Sequence, residues 1–147
     1  MGTHTILLAE DSEDEVFFFS RAFRGITGSC SLQVVSNGAR AIDYLSGTGP
    51  FANRRECPLP SFMLLDIKLP LLTGLEVLQW VRSDSTLKDL PVAMFTHCNQ
   101  MAEINRAQAL GADAYFVKPA RQQEMDAMLK SITQSWLKCG VFPELRC

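Results

Sequence analysis

Five short apolar runs, each followed by a segment of helical periodicity, constrain this chain more than any other feature. Thr5-Ile6-Leu7-Leu8-Ala9 reads as a buried strand, and Ser31-Leu32-Gln33-Val34-Val35 as an alternating one. Phe62-Met63-Leu64-Leu65 is unbroken, as in a central strand covered on both faces. Val92-Ala93-Met94-Phe95 and Ala114-Tyr115-Phe116-Val117 complete the set. Strands that alternate with helices require a parallel sheet with helices on both faces and right-handed crossovers. The expected class is α/β, a (βα)5 three-layer sandwich around a five-stranded parallel sheet.

The intervening segments carry helix punctuation. Ser12 and Glu15 have capping-box spacing, Val16, Phe19 and Phe23 form an apolar stripe that Phe18 and Ala22 widen, and Gly25 stops the helix. Asn37-Gly38 opens a second helix carrying Ala41, Ile42 and Leu45. The stretch from Gly47 to Pro60 is longer than a usual helix–strand connection and reads as a surface elaboration. A third helix is expected around Gly74 to Arg82, and a more polar fourth from about Asn99, capped by Gly111. The last has the clearest period, in Met125, Met128, Leu129, Ile132 and Trp136.

A length of 147 residues suits one domain, with a core over about 5–137 and a short extension over 138–147. The formal net charge of −2, without any basic run, gives no field for nucleic acid. Five cysteines, odd in number and without a C-x-x-C pair, encode neither zinc nor a redox motif, and suit reduced thiols in the cytoplasm. The longest apolar run near the N-terminus, Ile6 to Ala9, is far too short for a signal peptide or a membrane span.

The polar residues at the strand ends carry the chemistry. Glu10 and Asp11 follow the first strand, Asp66 the third, Thr96 the fourth and Lys118 the fifth. In an open parallel sheet that carboxyl edge is where sites form. Three converging carboxylates repel one another unless a cation neutralises them, and oxygen ligands suit a hard, hydrated ion such as Mg²⁺. A carboxylate beside such an ion can attack phosphorus, with the Lys118 ammonium offsetting charge on the phosphoryl oxygens. The run Glu13, Asp14, Glu15 reads only as acidic residues favoured at a helix N-terminus.

The segments Leu8-Ala9-Glu10-Asp11-Ser12, Leu64-Leu65-Asp66-Ile67-Lys68-Leu69-Pro70, Gly74, Met94-Phe95-Thr96 and Tyr115-Phe116-Val117-Lys118-Pro119 resemble the receiver domains of two-component response regulators. That resemblance covers roughly Thr5 to Leu137 and implies a flavodoxin-like fold and a phosphoacceptor signalling protein rather than an enzyme. It implies Asp66 as phosphoacceptor, and Asp11, Asp66 and the main-chain carbonyl of Lys68 as Mg²⁺ ligands, with Glu10 acting through water. It makes Thr96 the switch hydroxyl, Lys118 the phosphoryl-contacting cation, and the Lys118–Pro119 bond cis. Tyr115 is left between a rotating switch partner and plain buried packing. His97 stands where the family has a small residue, so its ring either narrows the pocket or points away.

The implied partners are a sensor histidine kinase and then a downstream protein target or a histidine phosphotransfer protein. A homodimer through the face of helix four, strand five and helix five is a further expectation. The long loop and Leu69-Pro70-Leu71-Leu72-Thr73-Gly74-Leu75 look similar to small regulators paired with phytochrome-type kinases. Trp136, Leu137, Val141 and Phe142 are left between core and partner surface. The alternatives are a Mg²⁺-dependent phosphatase with an aspartyl nucleophile and a pseudo-receiver that only binds partners. The phosphatase reading lacks the second acid of a D-x-D motif, since Lys68 stands there.

Overall fold

A computed structural model of the chain describes residues 4–26, 30–140 and 142–143, with only the backbone of Leu137 and Cys139. Five strands and five α-helices alternate: β1 (His4–Ala9), α1 (Glu13–Arg24), β2 (Cys30–Val35), α2 (Gly38–Ser46), β3 (Phe62–Leu65), α3 (Gly74–Ser83), β4 (Val92–Thr96), α4 (Met101–Ala109), β5 (Ala114–Val117) and α5 (Gln122–Cys139). All neighbouring strands pair in parallel, in the order β2-β1-β3-β4-β5. This is the flavodoxin-like order, whose direction of winding reverses between β1 and β3.

The pleat divides the core. Ile6, Leu8, Phe62, Leu64, Phe95 and Phe116 face one side, where α1 brings Phe19 and Ala22 and α5 brings Met125, Leu129 and Ile132. Leu7, Ala9, Met63, Leu65, Met94 and Tyr115 face the other, against α2, α3 and α4. Such two-residue alternation is what a strand with both faces covered must show.

The ladder continues one residue past the strands. The Glu10 amide donates to the Val35 carbonyl at 3.0 Å, that of Asp66 to Ala9 at 3.2 Å, and that of Lys118 to Thr96 at 2.8 Å. These bonds hold Glu10, Asp66 and Lys118 at one sheet edge. Gly74 brings α3 against the same edge: a Cβ there would lie 2.0 Å from the Asp66 carbonyl oxygen. A side chain cannot be fitted at that distance without moving backbone.

Several local expectations are modified. Ser12 caps α1 by accepting the Glu15 amide at 3.3 Å, but the reciprocal half of the box is absent because Glu10 takes the Ser12 amide at 3.1 Å. The full capping box belongs to α3, through Thr73 and Glu76. The long loop is the surface elaboration expected, mostly exposed, and it is docked on the end of α2. Arg54 donates from Nη1 to the Tyr44 and Cys57 carbonyls at 2.8 and 3.1 Å, and from Nη2 to the Leu45 carbonyl at 2.9 Å. The Arg54 guanidinium thus adds donors to the last carbonyls of α2 and ties the loop to that helix end. Trp136 and Phe142 pack inward, their ring centroids 5.0 and 5.2 Å from that of Phe62. Val141 and the Leu137 side chain lie outside the described residues.

Candidate functional site

At the carboxyl edge a cavity of about 550 Å³ is lined by Glu10, Asp11, Asp66, Thr96 and Lys118, the five strand-end residues singled out in the sequence. Lys68 also lines it, exposed, its amide 3.4 Å from Asp66 Oδ1. The carboxylates of Glu10, Asp11 and Asp66 bring their oxygens within 4.8 Å of one another. Glu10 and Asp66 are buried and Asp11 is exposed at the rim.

Lys118 organises the buried part. Its ammonium donates to Asp66 Oδ2 at 2.8 Å and to Glu10 Oε1. Its side chain is only 2% exposed. Burial works against the charged ammonium, but the hydrogen bonds it donates to Asp66 and Glu10, together with their negative charges, outweigh it and hold the pKa above that of an ordinary lysine. Glu10 titrates above the ordinary carboxylate range, first because burial penalises its charge and further because Asp66 repels it; bonds from Lys118 and the Ser12 amide offset part of this. Among the described residues no buried side-chain nitrogen or oxygen is left without a partner.

The donor set fits a hard divalent cation. Three carboxylates and one ammonium leave two negative charges, which one such ion offsets, and the ligand atoms offered are all oxygen. Thr96 is buried beside this centre, and its Oγ1 accepts the Cys98 amide at 3.4 Å. The Tyr115 hydroxyl donates to the Cys98 carbonyl at 2.6 Å, so the loop after β4 is tied to both Thr96 and Tyr115. Burial first, then the neighbouring Cys98, pushes the Tyr115 phenol well above its usual range. It is a neutral donor at physiological pH. The Lys118–Pro119 bond is trans, not cis as expected; trans is the intrinsically favoured X–Pro form by about 0.5–1 kcal/mol.

What escaped the sequence reading is that Glu15 and His97, both lining the cavity, are paired. Glu15 is not merely a helix-start acid: its Oε1 lies 2.5 Å from His97 Nε2. His97 therefore neither points away nor stands free. No short-range spacing could reveal a pair separated by 82 positions.

Residues 6–130 match the family described as response regulator receiver domain. The chain belongs to that family, and its class is that of a phosphoacceptor signalling protein. Among solved structures it is similar to the phosphorylated cyanobacterial phytochrome response regulator RcpA, at 29% identity and a TM-score of 0.87 over 97% of this chain and all of that one. Response regulator RPA3017, in red light signalling of R. palustris, is 30% identical with a TM-score of 0.88, covering 97% and 99% of the two chains. Response regulator Rcp1 of Synechocystis sp. is 27% identical over 138 residues, covering 94% of this chain and 92% of that protein. The Mn²⁺-bound form of Rcp1 superposes with a TM-score of 0.83 over 95% and 99% of the chains.

Proposed function

We propose that this chain works in the cytoplasm as a receiver, taking a phosphoryl group onto Asp66 from the phosphohistidine of a sensor histidine kinase of phytochrome type. The observation that carries the reading is the convergence of Asp66, the Lys118 ammonium and two further carboxylates at the end of a wholly apolar strand. A lysine bonded to two acids at once is an expensive arrangement to bury unless the acids are used. The intact set of Glu10, Asp11, Asp66, Thr96 and Lys118 also speaks against a pseudo-receiver.

Asp11, Asp66 and the main-chain carbonyl of Lys68 would hold a Mg²⁺ ion here, with Glu10 contributing through water. When bound, such an ion supplies positive charge against the acids and the phosphoryl oxygens. An Asp66 carboxylate oxygen attacks the donor phosphorus and an O–P bond forms. The bond from phosphorus to the imidazole nitrogen breaks, and its electron pair stays on the ring, which takes a proton from solvent. Lys118, already 2.8 Å from Asp66, steadies the transferring group. The Thr96 hydroxyl then donates to the new phosphoryl oxygen, and Tyr115 responds because both side chains bond the Cys98 backbone.

The changed surface spans α4, β5 and α5 and meets a second copy, a target protein or a phosphotransfer protein. No described helix is long and apolar enough to cross a membrane. To test the reading, wild type is incubated with Mg²⁺ and acetyl phosphate, and an acid-stable, hydroxylamine-labile label is mapped. Label on Asp66 that disappears in Asp66→Asn is the expected result. Equal labelling of Asp66→Asn, or none of wild type, overturns it.

A further inference from the structure

One side chain against the Lys118 ammonium is not polar. Phe95, the last apolar residue of β4, is buried, and Lys118 Nζ stands over its ring, 5.8 Å from the centroid. That is within the reach of about 6 Å over which the negative face of a ring attracts an ammonium, and the attraction is strongest where water is shut out. The Lys118 side chain is only 2% exposed. The ring is held in turn: Phe116 lies beside it in register on β5, and Phe19 of α1 packs on it at 71° with the centroids 5.6 Å apart. An aliphatic side chain would serve the core alone; only an aromatic one also offers the ammonium a face.

The three partners of the ammonium differ in what phosphoryl transfer does to them. Asp66 and Glu10 accept its hydrogen bonds in the metal-free protein. Under the proposed function Asp66 becomes an acyl phosphate and Glu10 is drawn toward a cation, so both contacts change during the reaction. Phe95 carries no charge, ligates nothing and stays in the core. We infer that Phe95 is a positioning residue for phosphoryl transfer, whose ring face holds the Lys118 ammonium in the cavity while its carboxylate partners are reorganised. A cation set in place beforehand stabilises charge on the moving phosphoryl oxygens without first being reoriented.

This inference rests on Asp66 being the phosphoacceptor and Lys118 the cation that meets the transferred group. The test replaces Phe95 by phenylalanines bearing one, two and three ring fluorines, which weaken the negative face stepwise and change the shape little. Phe95→Leu removes the face altogether. With Mg²⁺ and acetyl phosphate, the rate of Asp66 labelling is expected to fall with each fluorine, by about tenfold at the end of the series and in Phe95→Leu. Thermal unfolding in EDTA gives a readout that needs neither metal nor phosphodonor. There, fluorination should lower the melting temperature when Lys118 is present, and lower it less in Lys118→Met, which keeps a long side chain without the charge. A labelling rate level across the fluorine series overturns the positioning role, even if Phe95→Leu is slow through poor packing. An equal loss of melting temperature with and without the Lys118 charge makes the ring plain core and overturns it as well. Absence of label on Asp66 in unmodified wild type overturns the phosphoacceptor reading itself, a result distinct from a loss that appears only as the ring is fluorinated.

Discussion

Lys118 is the residue on which the metal-free site depends. It bonds two buried carboxylates, and its removal leaves both without a counter-charge. Breaking a buried ionic cluster by deleting one partner costs about 3–5 kcal/mol. Lys118→Ala should therefore lose about that much in urea unfolding with EDTA present, and recover a share of it when Mg²⁺ is added. Equal stability of the variant and wild type in EDTA would mean that Lys118 does not balance these acids. Glu10 gives a second test at the same scale, through pH. Its folded pKa is raised above the ordinary value of 4.5 by burial and then by Asp66. As pH rises past 4.5, the unfolded chain releases this proton while the folded protein keeps it. The native state then binds more protons, so the contribution is present below that pH and is lost as pH climbs through the raised folded pKa. In EDTA, wild type should lose stability relative to Glu10→Gln over that window, followed by thermal unfolding at successive pH values. A constant difference across the window would contradict the raised pKa.

At the scale of elements, the strand-end site depends on how closely α3 approaches β3. Gly74 permits that approach, since its amide donates to the Ile67 carbonyl at 2.8 Å while a Cβ would meet the Asp66 carbonyl at 2.0 Å. Gly74→Ala must push the two backbones apart, at about 1–3 kcal/mol for overpacking. Because the displaced carbonyl is that of Asp66 itself, Asp66 labelling by acetyl phosphate should also fall. A variant less stable but labelled at the wild-type rate would separate the packing from the site. The strands and most helices were legible in the sequence because apolar period and strand-end polarity are local signals. What was not legible depends on partners far along the chain. The capping-box spacing at Ser12 is real, yet Glu10 takes the Ser12 amide and His97 the Glu15 carboxylate, so only the Ser12 half of the box forms. Arg54 had no local mark either: its role appears only when the loop folds back on the end of α2. Thr73 and Glu76 carried the same signature as Ser12 and Glu15 and kept both bonds, for no long-range group competes there.

For the whole molecule, the five strand-end positions at the centre of the cavity were readable because the fold turns sequence order into convergence. In a parallel sheet every strand ends at the same edge, so polar residues that interrupt apolar runs at strand ends must meet. The charge that meets there then couples folding to metal. Asp11 is the exposed member of the acidic trio and has no ion-pair partner among the described residues. In the metal-free protein it contributes mainly repulsion toward Glu10 and Asp66; under the proposed function it would become a ligand once a divalent cation binds. A ligand that binds only the folded state stabilises it by about 2.7 kcal/mol at a concentration one hundred times its Kd. Wild type should thus gain melting temperature steadily with Mg²⁺. Asp11→Asn should be as stable as wild type or more so in EDTA, and should lose most of the gain with Mg²⁺. The opposite pattern, a variant weakened in EDTA that keeps the full Mg²⁺ response, would mean that the trio stabilises the fold by its own hydrogen bonds. Differential scanning calorimetry across a Mg²⁺ series separates the two, because only the coupled site makes the melting temperature depend on Asp11 and on the ion together.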